Sequence, residues 1–142
     1  MSAPAIGGKV LDASALVAVV RHRLAALTWI DVARSAGIVL DVPTLAIAEV
    51  RALRQDAGPD LADLLGHSWV VLGDLDTATV VGVDGLLAHA SAADTSGTVG
   101  VEVVDVLAAH VVHAATTRGW PVLTTDPARL RRLEPTVEIE LL

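Results

Sequence analysis

The chain contains no cysteine, phenylalanine or tyrosine, and its only aromatic residues of that class are Trp29, Trp69 and Trp120. Without cysteine there is neither a disulfide framework nor a thiolate metal site, and a reducing cytoplasm is the expected compartment. A core must be built from Ala, Val and Leu. The three tryptophans are too far apart to form a base-stacking platform and read as packing anchors. Long apolar runs are missing too. The longest stretch free of Asp, Glu, Lys and Arg is 106–117, twelve residues with two histidines, against the roughly 18 needed to span a membrane. The first nine residues hold no apolar signal core, so no membrane association is expected. Positive charge is scarce, with 10 Lys and Arg against 17 Asp and Glu and a net charge of −7. That argues against a broad electrostatic grip on nucleic acid. A local grip stays open, because a carboxylate cluster loaded with divalent cations reverses its own sign. The arginines also fall into three small groups, 21 and 23, 51 and 54, and 129, 131 and 132, which read either as solvated faces or as a phosphate path.

What is present is an apolar, regularly punctuated sequence. At 142 residues, 53% apolar and 19% charged, the chain suits one domain, 1–142, with no repeat or internal boundary. Apolar strand-like segments at 9–12, 38–42, 69–72, 121–125 and 137–141 alternate with helical spacing at 13–20, 22–36, 44–57, 61–66, 76–93 and 103–118. Thr44 is the expected cap of the third helix, Gly58-Pro59 its break, Gly119 the close of the helix at 103–118, and 94–100 the expected mobile loop. Strands separated by helices imply a parallel sheet covered on both faces.

Four acids stand where burial is expected: Asp12, Glu49, Asp105 and Asp126. An isolated carboxylate in such a place is costly unless several share cations. Asp12 and Asp126 end strands where ligands bind in parallel sheets. Each also precedes a helix as an N-cap, a role compatible with ligation because oxygen lone pairs stay free. Glu49 projects from an apolar stripe of Leu45, Ala46, Ala52 and Leu53, with no Lys or Arg at i±3 or i±4. Asp105 sits in a first helical turn, where the helix dipole is a sufficient structural reason for an acid. His110 and His113 lack any zinc-site spacing and read as core or interface residues.

Val-Leu-Asp12-Ala-Ser14-Ala-Leu, the acid in Leu-Ala-Ile-Ala-Glu49-Val, the small-residue helix with His110 and Gly-Trp-Pro-Val-Leu-Thr-Thr-Asp126-Pro together resemble a PIN domain. The likeness is greatest to VapC-type toxin ribonucleases and covers about 9–140. It implies a three-layer α/β/α sandwich with a parallel five-stranded sheet. It further implies an endoribonuclease dependent on Mg²⁺ or Mn²⁺ that cuts single-stranded RNA as a homodimer neutralised by a small antitoxin protein. On this resemblance Asp12, Glu49 and Asp126 are catalytic metal ligands, Asp105 an outer ligand, and Ser14 and Thr125 hydroxyls that hold the carboxylates. One departure stands out. The third acid of the family belongs just before Ala-His-Val, and here that position is Ala108. Asp105, one helical turn earlier, is either a substitute or only a first-turn acid, and a third reading is that Ala108 is an engineered inactivation or a natural loss. The alternative function is a catalytically impaired PIN-like domain serving as an RNA-binding or protein-interaction module. A third is an α/β binding domain whose acids are only caps.

Overall fold

A computed structural model of the chain describes residues 7–93 and 102–142. The expected loop at 94–100 lies outside the described residues. The order of elements is β1 (Gly8–Leu11), α1 (Ala13–Val20), α2 (Leu24–Ala36), β2 (Val39–Pro43), α3 (Thr44–Leu53), a 3₁₀ turn (Gln55–Ala57), α4 (Gly58–Leu65), β3 (Val70–Gly73), α5 (Thr77–Ala93), α6 (Val103–Arg118), β4 (Val122–Thr124), α7 (Pro127–Leu133) and β5 (Ile139–Leu141). The strands form one five-stranded sheet in the order β3-β2-β1-β4-β5, and every pairing is parallel. This is the expected three-layer arrangement, with the C-terminal strand at an edge.

Register determines which side chains share a face, because in-register neighbours project the same way. Val10 pairs with Asp41 and with Val122, and this face is covered by α6, whose Arg118 reaches Asp41. Leu11, Leu40 and Leu123 line the opposite face and meet Ala15 and Val19 of α1 and Ala26 and Ile30 of α2. Apart from the Asp41–Arg118 pair, the buried residues of both faces are mainly apolar, as a doubly covered parallel sheet requires. The core is Ala, Val and Leu, with no Phe or Tyr to fill gaps. The tryptophans do serve as anchors. The Trp120 ring lies so close to Gly8 that a Cβ there would stand 2.4 Å from it, and Trp69 stacks on His67 at 4.7 Å between centroids. No single helix among the described residues is long and apolar enough to cross a membrane.

Helix ends depart from expectation in two places. Pro43, not Thr44, occupies the cap position of α3. The Thr44 hydroxyl instead donates to the Gly73 carbonyl at 2.5 Å, because neighbouring β2 and β3 end side by side and leave that carbonyl within reach. α3 also stops at Leu53, and Gly58 and Pro59 open α4 instead of breaking a longer helix. Proline fits a first helical turn, whose N–H groups have no intrahelical partner. Gly119 closes α6 in the left-handed region at φ 69°, as expected for glycine.

Candidate active site

The acids expected to act together rise from elements that converge at the C-terminal edge of β1 and β4. Asp12 follows β1 and caps α1, and its Oδ1 accepts from the Ala15 N–H at 2.9 Å. The same oxygen accepts from the Ser14 hydroxyl at 2.6 Å, and Oδ2 accepts from the Thr124 hydroxyl at 2.5 Å. Each hydroxyl is itself aligned from behind. Ser14 Oγ accepts from the Thr125 N–H and Thr124 Oγ1 from the Asp126 N–H, both at 2.9 Å. The turn after β4 is thus pinned to the Asp12 carboxylate through two hydroxyl relays, which fix its rotamer. Asp12 is only 4% exposed. Burial raises its pKa above the ordinary carboxylate value, outweighing the hydrogen bonds from Ser14, Thr124 and Ala15 and the attraction of Arg129.

Arg129 was not singled out in the sequence beyond its group of arginines. Its guanidinium pairs with Glu49 at 2.8 Å and also acts electrostatically on Asp12. Glu49, which has no neutralising neighbour on its own helix, finds one across the fold on α7. Two carboxylates from separate elements therefore face one positive charge.

The other expected residues are placed differently. Asp126 holds the N-cap position of α7 without a side-chain capping bond, and it is exposed. Thr125 was expected to hold a carboxylate, but Thr124 does so. Successive residues along a strand point to opposite sides, which turns the Thr124 hydroxyl to Asp12 and leaves Thr125 exposed. Asp105 is buried with both oxygens engaged. Oδ1 pairs with Arg132 at 2.8 Å and Oδ2 accepts from the Glu102 N–H at 2.9 Å. With Glu102 it forms a reciprocal capping box, so its carboxylate is bound to the start of α6 and to α7. Ala108 is 3% exposed within the core and supplies no oxygen. Among the described residues, no group of three or more His, Asp or Glu could hold a metal ion.

The donor set still suits a hard cation in kind. Mg²⁺ retains several waters and is commonly held by one or two carboxylates, completed by substrate phosphates. Asp12 Oδ2 accepts one of the two hydrogen bonds an oxygen can take, which leaves a lone pair for an ion. Glu49 already lies against a positive charge. In chemical kind, then, two carboxylates of this edge match what a hard cation takes.

Sequence reasoning passed over a third buried carboxylate, beside Asp12 and Asp105. Asp41 lies in the middle of β2 with Oδ2 paired to Arg118 Nε at 2.5 Å, and Oδ1 has no hydrogen-bond partner among the described residues. Burial raises its pKa against the pull of Arg118 and His110. His110 is buried as expected. Its Nδ1 accepts from the Leu45 N–H at 3.4 Å, and burial lowers its pKa. A charged residue inside Val-Leu-Asp-Val was the available signal. Asp41 and His110 tie β2, α3 and α6 together below the acidic edge.

The sheet order and the covering helices form a three-layer, PIN-like α/β/α fold. No protein-family model matches the sequence, and no curated protein does. Among solved structures, the crystal structure of VapBC2 from Rickettsia felis bound to a DNA fragment from their promoter is similar, with a TM-score of 0.69 and 12% identity over 94% of this chain and 98% of that one. That likeness supports a PIN-like fold and, at this identity, carries the fold alone.

Proposed function

We propose that the chain is a divalent-metal-dependent endoribonuclease of the toxin–antitoxin type that cleaves single-stranded RNA. The observation that carries this reading is the convergence of Asp12 and Glu49 on one positive charge at the C-terminal edge of a PIN-like sheet. Bound Mg²⁺ or Mn²⁺ would be held by Asp12 and Glu49 and would polarise the scissile phosphate and acidify a water. The protein's own contribution is positional. Ser14 and Thr124 lock the Asp12 carboxylate, and the same hydroxyls fix the backbone that carries Asp126. Outer contacts of this type sustain metal affinity. Asp105 is committed elsewhere and Ala108 offers no ligand, so metal affinity is expected to be weak for a nuclease and turnover slow. An antitoxin protein and a second copy of the chain are the expected partners. The apolar side chains of Leu24 and Leu27 on α2 and of Val80 and Val81 on α5 are exposed and available to them.

A second reading is favoured by the same shortage of ligands: a PIN-like module that binds RNA or protein without cutting. Cleavage of single-stranded RNA in Mn²⁺ by the native chain, Asp12→Asn and Glu49→Gln separates the two. The nuclease reading expects cleavage by the native chain alone, abolished by chelation. No cleavage by any of the three supports the module, and equal cleavage by all three reveals a contaminant and removes the assignment.

A further inference from the structure

We propose that the groove beginning at Ser14 and Thr125 and passing Arg21 and Arg23 binds the phosphates of the RNA strand next to the cut. This rests on the ribonuclease reading and assigns its substrate a path. The groove has a volume of about 440 Å³, and Val17 and Ala18 form part of its wall. Its inner end adjoins the reactive edge directly, because Ser14 donates to Asp12 at 2.6 Å and accepts from the Thr125 N–H at 2.9 Å.

Charge singles this groove out. Most basic side chains are already neutralised: Lys9, Arg34, Arg54, Arg118, Arg129 and Arg132 all pair with carboxylates. Arg21 and Arg23 are exposed and have no carboxylate partner among the described residues. On a chain of net charge −7, a polyanion is repelled from most of the surface and held only where such cations gather. Arg51 and Arg131 also lack a carboxylate partner among the described residues, but neither lines this groove. A basic groove with small apolar walls is the form that tracks a single strand without reading its bases.

The backbone that presents the two arginines is unusual. His22, between them, adopts φ 53°, the left-handed region that glycine normally fills. The His22 N–H donates to the Val19 carbonyl and the Arg23 N–H to the Ala18 carbonyl, both at 2.9 Å. That pair of bonds is the Schellman closure, and it ends α1 abruptly, so that α2 leaves at 100°. Arg21 and Arg23 thereby both face the groove, on either side of a strained histidine.

The test is binding of a short, dye-labelled single-stranded RNA in EDTA, followed by fluorescence anisotropy between 50 and 200 mM salt, a range in which phosphate contacts show clearly. The proteins are the native chain, Arg21→Gln/Arg23→Gln and Arg51→Gln/Arg131→Gln. Loss of two phosphate contacts should flatten the plot of log affinity against log salt by about 1.4 and weaken low-salt binding by about tenfold. The Arg51/Arg131 pair should leave both unchanged. All four arginines are solvent-facing, and matched melting temperatures confirm that the variants fold. Native binding with an unchanged slope in the Arg21/Arg23 variant overturns the groove while leaving the RNA reading standing. Equal losses in both double variants also overturn it, since binding would then be diffuse. If the native chain binds no RNA, the groove and the RNA reading fall together.

Discussion

Replacing Arg129 by glutamine removes the positive charge that Asp12 and Glu49 share while preserving most of the side chain's volume. The paired side chains are 25% and 12% exposed, between an open surface pair and a fully buried one. Exposed pairs contribute about 0–1 kcal/mol and breaking a buried one costs about 3–5 kcal/mol, so after allowing for solvent screening the loss should be about 1–2 kcal/mol. For a domain of this size that lowers the melting temperature by about 3–7 °C. A divalent cation should reverse the loss. A ligand that binds only the folded state, at a concentration 100-fold above its Kd, stabilises by about 2.7 kcal/mol. In the native chain the ion must first displace the guanidinium, so its apparent affinity is reduced to the fraction of molecules in which Arg129 has moved away. Melting curves with and without Mn²⁺ should therefore show native above Arg129→Gln in EDTA, and a larger Mn²⁺-induced rise in the variant. Adding Glu49→Gln to Arg129→Gln should abolish that larger rise. If Mn²⁺ raises neither melting temperature, the two carboxylates do not form a cation site. If it raises both equally, Arg129 does not compete for it.

Arg118→Met should cost about 2 kcal/mol near pH 7, because it leaves Asp41 charged and buried, with a discount for the exposure of Arg118. The folded-state pKa of Asp41 is raised above its ordinary value, so the native state holds this proton more tightly than the unfolded chain. Its ionisation therefore lowers stability as pH rises. The deficit of the variant should accordingly be largest near neutrality and shrink as pH falls through the raised pKa toward the ordinary range, as measured by urea unfolding across that range. A deficit independent of pH would mean that lost packing on Trp120 dominates. Thr124→Val should weaken Mn²⁺ binding by about 10–100-fold, the usual effect of losing a contact that orients a ligand, whereas Thr125→Val should leave calorimetric titrations near native. Asp105→Asn should destabilise the fold by about 1–2 kcal/mol through the capping box and the Arg132 pair, with Mn²⁺ affinity unchanged. A fall in affinity there would restore Asp105 as a ligand.

The sequence alone determined the class of fold, because its evidence is periodic and local. Apolar strands ending at Asp12 and Asp126, a helix closed by Gly119, and the alternation of strands with helices leave few alternatives to a covered parallel sheet. The strand-end acid at Asp12 and its neighbour Ser14 were legible for the same reason, since both lie within one short motif. Partnership across the chain was not legible. Glu49 looked unneutralised because only its own helix could be read, and its counter-charge comes from Arg129 eighty positions on. Thr124 and Thr125 are equivalent as letters, and only the orientation of the last strand residue chose Thr124. Asp105 kept two readings open until folding brought Arg132 to one of its oxygens and the Glu102 N–H to the other. The cost of burying Asp41 in β2, and its balance by Arg118, likewise exist only once sheet and helix have met. Local periodicity specifies where a chain turns, but the charge a side chain faces depends on segments far away in sequence, and that is settled only by the packed structure.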